Sequence, residues 1–133
     1  MKAQILLFLT FFLAANAIYT FTPEWQDCGR GAGWVMDNVT LDHPPVAAHN
    51  STFHLCGKNA NYYVINFESV HATSGTVIDQ TFLENVGVGY NQYYCFEVNF
   101  RLPEGGAKDL VIQFDFEAKI FGHGGCANVT LHI

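Results

Sequence analysis

Helical periodicity is missing from this 133-residue chain: no long window repeats apolar residues at spacings of three and four, which excludes a helical fold. Positive charge is scarce. Setting aside Lys2, five Lys and Arg stand against twelve Asp and Glu, a net charge of −7 with His neutral. Nucleic-acid binding is driven by basic side chains that neutralise phosphates, so that class is excluded. Strong attraction to anionic membrane surfaces is excluded on the same ground. Beyond the N-terminal segment no apolar run is long enough to span a bilayer. No serine sits in the glycine frame of a nucleophile elbow, and no HExxH or paired Cys/His spacing occurs. The chain is therefore expected to be neither an enzyme nor a metalloprotein, and to need no cofactor. Asp115 and Glu117 share one outward strand face and read as a solvated pair, not as catalytic carboxylates.

What is present begins with a leader. Lys2 supplies a positive start, Ile5 to Ala14 is apolar apart from Thr10, and Ala15-Asn16-Ala17 is a small-x-small cleavage site. Residues 1–17 are expected to be a signal peptide and 18–133 one domain. Export places the four cysteines where disulfides persist. Asn38-Val39-Thr40, Asn50-Ser51-Thr52 and Asn128-Val129-Thr130 make Asn38, Asn50 and Asn128 candidate glycosylation sites.

Period-two alternation predicts strands near Trp34–Leu41, Ser51–Cys56, Asn61–Val70, Thr76–Leu83, Gln92–Leu102, Asp109–Ile120 and Ala127–Ile133. About seven short strands with turn residues between them predict an all-β, immunoglobulin-like antiparallel sandwich. Leu110, Ile112, Phe114, Phe116 and Ala118 share one face. So do Tyr94, Phe96, Val98, Phe100 and Leu102, and likewise Ala127, Val129, Leu131 and Ile133. In the third predicted strand Tyr63, Ile65 and Phe67 fall together with Asn61 and Ser69. These faces are assigned to the interior. The assignment serves a solid core as well as a ligand cavity, and a close-packed core is the more ordinary outcome.

Four cysteines allow three pairings. Joining Cys28 to Cys126 would close almost the whole chain, worth about 4–5 kcal/mol in the chain-entropy picture. Cys56 and Cys95 both sit on outward faces and could bridge if their strands were neighbours. Spacing alone leaves the other pairings open. Six histidines, among them His43, His49 and His54, could make ligand exchange pH-dependent. Two glycine-bearing segments, Gly87-Val88-Gly89-Tyr90 and Ile120-Phe121-Gly122, are candidate portals as well as ordinary turns.

Several short segments, taken in order, resemble the ML lipid-recognition family, of the Niemann–Pick sterol carrier and mite group 2 allergen type. They are Asp27-Cys28-Gly29, Val39-Thr40-Leu41-Asp42-His43-Pro44-Pro45-Val46, Tyr94-Cys95-Phe96, Phe100-Arg101-Leu102-Pro103 and Cys126-Ala127-Asn128-Val129-Thr130-Leu131. Differences are visible too. Cysteines suffice for two bridges where the family often has three, Phe96 stands where proline is usual, and Cys56 has no matching position. The resemblance implies a sandwich whose sheets hold a lipid between them. It implies the Cys28–Cys126 bridge but not the Cys56–Cys95 one. Lipid-contacting residues would be Tyr63, Ile65, Phe67, Phe96, Val98, Phe100, Phe114, Phe116, Val129 and Leu131. Each CH₂ so buried gains roughly 0.8 kcal/mol. The expected product is a monomeric secreted or endolysosomal carrier of a sterol, phospholipid or fatty acid, with transient membrane contact. The alternative is a secreted recognition module with a solid core that binds protein or glycan through its loops.

Overall fold

The computed structural model describes residues 20–29, 33–106, 109–119 and 122–133. The predicted signal peptide lies outside these residues. The fold is all-β, with eight strands: β1 (Glu24–Asp27), β2 (Trp34–Leu41), β3 (Asn50–Asn59), β4 (Ile65–Ser74), β5 (Ile78–Val88), β6 (Tyr93–Arg101), β7 (Leu110–Ala118) and β8 (Gly122–Leu131). They form two antiparallel sheets, one of order β1-β8-β7-β4-β5 and one of order β2-β3-β6. The inner faces pack against each other as a β-sandwich.

Sequence alternation locates seven of the eight strands. β1 escapes it because four residues are too few to show a period; its strand character comes from pairing along β8, Glu24 to Thr130 through Asp27 to Ala127. The third predicted strand starts too early. Asn59 is fully buried, and its side-chain amide donates to the Tyr63 and Val88 carbonyls while its Oδ1 accepts from the Asn61 amide. Those bonds bend residues 60–64 into a turn, so β4 begins at Ile65. A register shift between Phe67 and Ser69 then reverses the phase: Val70 and Ala72 face inward, not Ser69.

Two strands run beyond their predicted ranges, and each extension holds a glycine: Gly57 lies in β3 past Cys56, and Gly125 in β8 ahead of Ala127. A Cβ on Gly125 would come within 2.7 Å of Trp34, and one on Gly57 within 2.9 Å of the same ring. The indole occupies the room that the two missing side chains leave. Thr76, the predicted start of the fourth strand, belongs instead to the turn between β4 and β5, where Val77 N donates to the Ser74 carbonyl and Gly75 takes a positive φ of 52°.

The two flanks of the sandwich are closed differently. On the β1/β2 side the sheets are laced by backbone. Phe21 and Leu41 exchange two hydrogen bonds of 2.9 and 2.7 Å, and Met36 N donates to Asp27 Oδ2 at 3.3 Å. On the other side β5 and β6 are the outermost strands of different sheets and share no backbone ladder. They are joined at one end by the turn at Gly89–Gln92, where Gln92 N donates to the Gly89 carbonyl and Asn91 adopts φ 65°.

Candidate functional site

The space between the sheets is the candidate site. β3 and β6 supply Phe53, Leu55, Phe96, Val98 and Phe100 from one side; β4, β7 and β8 supply Ile65, Phe67, Phe114, Phe116, Val129 and Leu131 from the other. Nine of the ten residues expected to touch lipid are thus buried on the inward faces. The tenth, Tyr63, is corrected: it is 74% exposed, on the turn that Asn59 creates.

Aromatic rings cross the gap. Phe67 meets Phe96 edge-on at 4.9 Å, Phe96 lies 4.9 Å from Phe116, and Phe53 lies 5.2 Å from Phe114. Trp34 contacts Phe67 at 5.4 Å and Phe96 at 5.6 Å, and its Nε1 donates to Met36 Sδ. Such offset and edge-on pairs are the favoured aromatic geometries. With these rings in mutual contact, a ligand enters this part of the sandwich only if the rings rotate or the sheets part.

Three polar groups interrupt the apolar lining. Asn59 is satisfied by its bonds to Tyr63, Val88 and Asn61. Ser51 is 1% exposed on the inward face of β3, and its hydroxyl has no hydrogen-bond partner. Its place in a sequon explains its sequence context but not its burial. The third is Glu84 of β5. Phe82, Glu84 and Val86 are half-buried on the face that Val88 continues inward, whereas Leu83 and Asn85 point to solvent. The Tyr94 hydroxyl, from the opposite sheet, donates to Glu84 Oε1 at 2.6 Å. That bond, with burial and the carboxylate charge, pushes the phenol pKa up to about 12, so it keeps its proton at neutral pH. Glu84 went unread in the sequence because the predicted strand stopped at Leu83. Extending the alternation by three residues would have exposed a carboxylate on an apolar face.

Both disulfides are present: Cys28 with Cys126 and Cys56 with Cys95. Cys56 and Cys95 stand directly opposite in the β3/β6 ladder, on the outer face of the sheet. Cys28–Cys126 fastens β1 to β8. Asn38 and Asn50 are exposed, and Asn128 is half-buried on the outer face of β8. Of the candidate portals, Val88 is buried inside β5, while Tyr90 is exposed and stacks on Tyr62 at 4.8 Å. Ile120 and Phe121 lie outside the described residues; Gly122 opens β8. The histidines are dispersed. His71 pairs with Asp79 at 2.6 Å on the exposed surface, and His132 Nδ1 bonds Asp109 at 2.6 Å with Glu24 3.6 Å from Nε2. The Asp109 bond, then its charge, raise the His132 pKa above its ordinary value.

A solved structure with this fold is that of a Niemann–Pick type C2 protein from the Japanese carpenter ant, with a TM-score of 0.55 at 10% identity. The match covers 81% of this chain and 97% of that one. At such identity the likeness is one of fold. No protein-family model and no curated protein sequence matches the chain.

Proposed function

We propose that this chain is a secreted lipid-binding and lipid-transfer protein that holds the apolar part of a sterol- or phospholipid-type molecule between its two sheets and exchanges it with membranes. One observation carries the reading: the chain has the sandwich fold of a Niemann–Pick type C2 protein over nearly that protein's whole length, with inward faces almost entirely apolar. Apolar walls with a few polar groups are what a lipid site requires. The flank between β5 and β6 supports the reading further. It lacks the backbone lacing of the opposite flank, so sheets hinged at β1/β2 can part there without breaking a ladder. The leader and both disulfides support export, to the outside or the endolysosomal compartment. Binding and exchange need no covalent step.

A second reading is favoured by the ring contacts themselves: a solid-core recognition module that binds protein or glycan through its loops. Native mass spectrometry of the secreted, deglycosylated protein, followed by organic extraction, separates the two. A stoichiometric lipid is the expected result. An empty protein that also refuses added sterols and phospholipids would overturn the carrier reading in favour of the solid core.

A further inference from the structure

Glu84 and Tyr94 are the only hydrogen-bonded side-chain pair, among the described residues, that joins β5 to β6 across the open flank. Resting on the lipid-binding reading, we propose that this pair receives the polar head of the bound molecule, and that it selects a neutral head with a hydrogen-bond donor, an alcohol or primary amide, over a carboxylate.

Glu84 shares its inward face with Phe82 and Val86, and the Phe82 ring lies 5.8 Å from Phe100 of the other sheet. When these rings rotate or the sheets part at this flank, an apolar tail can pass into the interior while its head stays at the half-buried carboxylate. Charged side chains are seldom placed on an interior face unless paired, and no salt bridge among the described residues involves Glu84. Its partner is a neutral phenol whose single proton is already committed.

The chemistry of the pair is one-sided. An ionised carboxylate only accepts, and it has room for several hydrogen bonds. The phenol oxygen can accept as well. What remains for a ligand is therefore a set of acceptors with no free proton. An alcohol or amide N–H satisfies that set. A carboxylate head offers no proton at neutral pH and brings a second negative charge beside Glu84. At a partly buried separation of a few ångströms, that repulsion corresponds to roughly tenfold or more in affinity.

The test compares 1-dodecanol with dodecanoate, which share one apolar chain, at submicellar concentration and neutral pH. Both are titrated against the full secreted chain by displacement of a fluorescent apolar probe. The wild type is expected to bind dodecanol at least tenfold more tightly. Glu84→Gln, which keeps the shape and still accepts from Tyr94, is expected to tighten dodecanoate and shrink the preference at least fivefold. Tyr94→Phe, checked for folding by circular dichroism, is expected to weaken dodecanol severalfold; if it does not fold, Glu84→Gln alone decides. Equal binding of both ligands, or a preference that Glu84→Gln leaves unchanged, would overturn the head-group assignment and leave lipid binding standing. Failure of the wild type to bind the probe, either ligand, or any sterol or phospholipid would overturn the lipid-binding reading itself.

Discussion

Truncating Trp34 to alanine measures how completely the space between the sheets is filled. The indole is 1% exposed, contacts Phe67, Phe96 and Phe116, and rests in the room left by Gly57 and Gly125. A buried aromatic removes about 150–250 Å² from water. At about 25 cal/mol per Å² that is about 4–6 kcal/mol, and measured truncations of buried Phe and Trp cost about 3–5 kcal/mol. We expect Trp34→Ala to lose about 3–5 kcal/mol, out of the roughly 5–15 kcal/mol that holds a typical domain together. Urea unfolding followed by far-UV circular dichroism reads the loss, since the variant removes one of the two tryptophans of the domain as a fluorescence probe. With a slope of roughly 1–3 kcal/mol per molar, the midpoint should fall by about 1–5 M. A loss below about 1.5 kcal/mol would refute the close packing of this ring cluster and point to space already open beside it. Neighbouring rings on both sheets would then have to be read as cavity walls.

Three further outcomes are expected from the same geometry. Ser51→Ala, which keeps the Asn50 sequon, removes a buried hydroxyl without a partner; it should raise stability by about 1 kcal/mol in urea unfolding, and a loss of similar size would mean the hydroxyl is bonded in solution. Replacing both Cys28 and Cys126 with serine opens a span of 98 residues and should cost about 4–5 kcal/mol. Opening Cys56–Cys95, a span of 39, should cost about 4 kcal/mol, so thermal melts should rank the first pair as more damaging, and a reversed order would contradict the loop-entropy argument. His132 should titrate above its ordinary value in an NMR pH series, because Asp109 and then Glu24 favour its charged form. A raised folded pKa stabilises fully below the unfolded value of about 6.5 and is lost as pH rises through the folded one. Asp109→Asn should return the titration toward the ordinary value, and an unmoved midpoint would refute the pairing.

Alternation alone determined that the chain is all-β, where most strands run, and which side chains of β6, β7 and β8 face inward, because a strand's period of two is written into consecutive residues. Phase also placed Cys56 and Cys95 on outward faces. Only the pairing of β3 with β6 set them opposite each other. Neighbourhood of that kind depends on residues distant in the sequence, and no local pattern carries it. The shift at Phe67 and Ser69 is another such decision: which residue a bulge leaves unpaired is fixed by the partner strands, so Ser69 turned out and Val70 turned in. Tyr63 left the candidate site because one buried amide, Asn59, captured the backbone on its own side of β4 and the end of β5 as well. Glu84 entered it because β5 runs on to Val88 and carries a carboxylate to the open flank, within reach of a phenol from the other sheet. Sequence thus established an apolar interior. Tertiary structure decided which flank is laced by backbone, which is bridged by side chains, and which polar groups reach inside, since each of these rests on contacts between strands far apart in the chain.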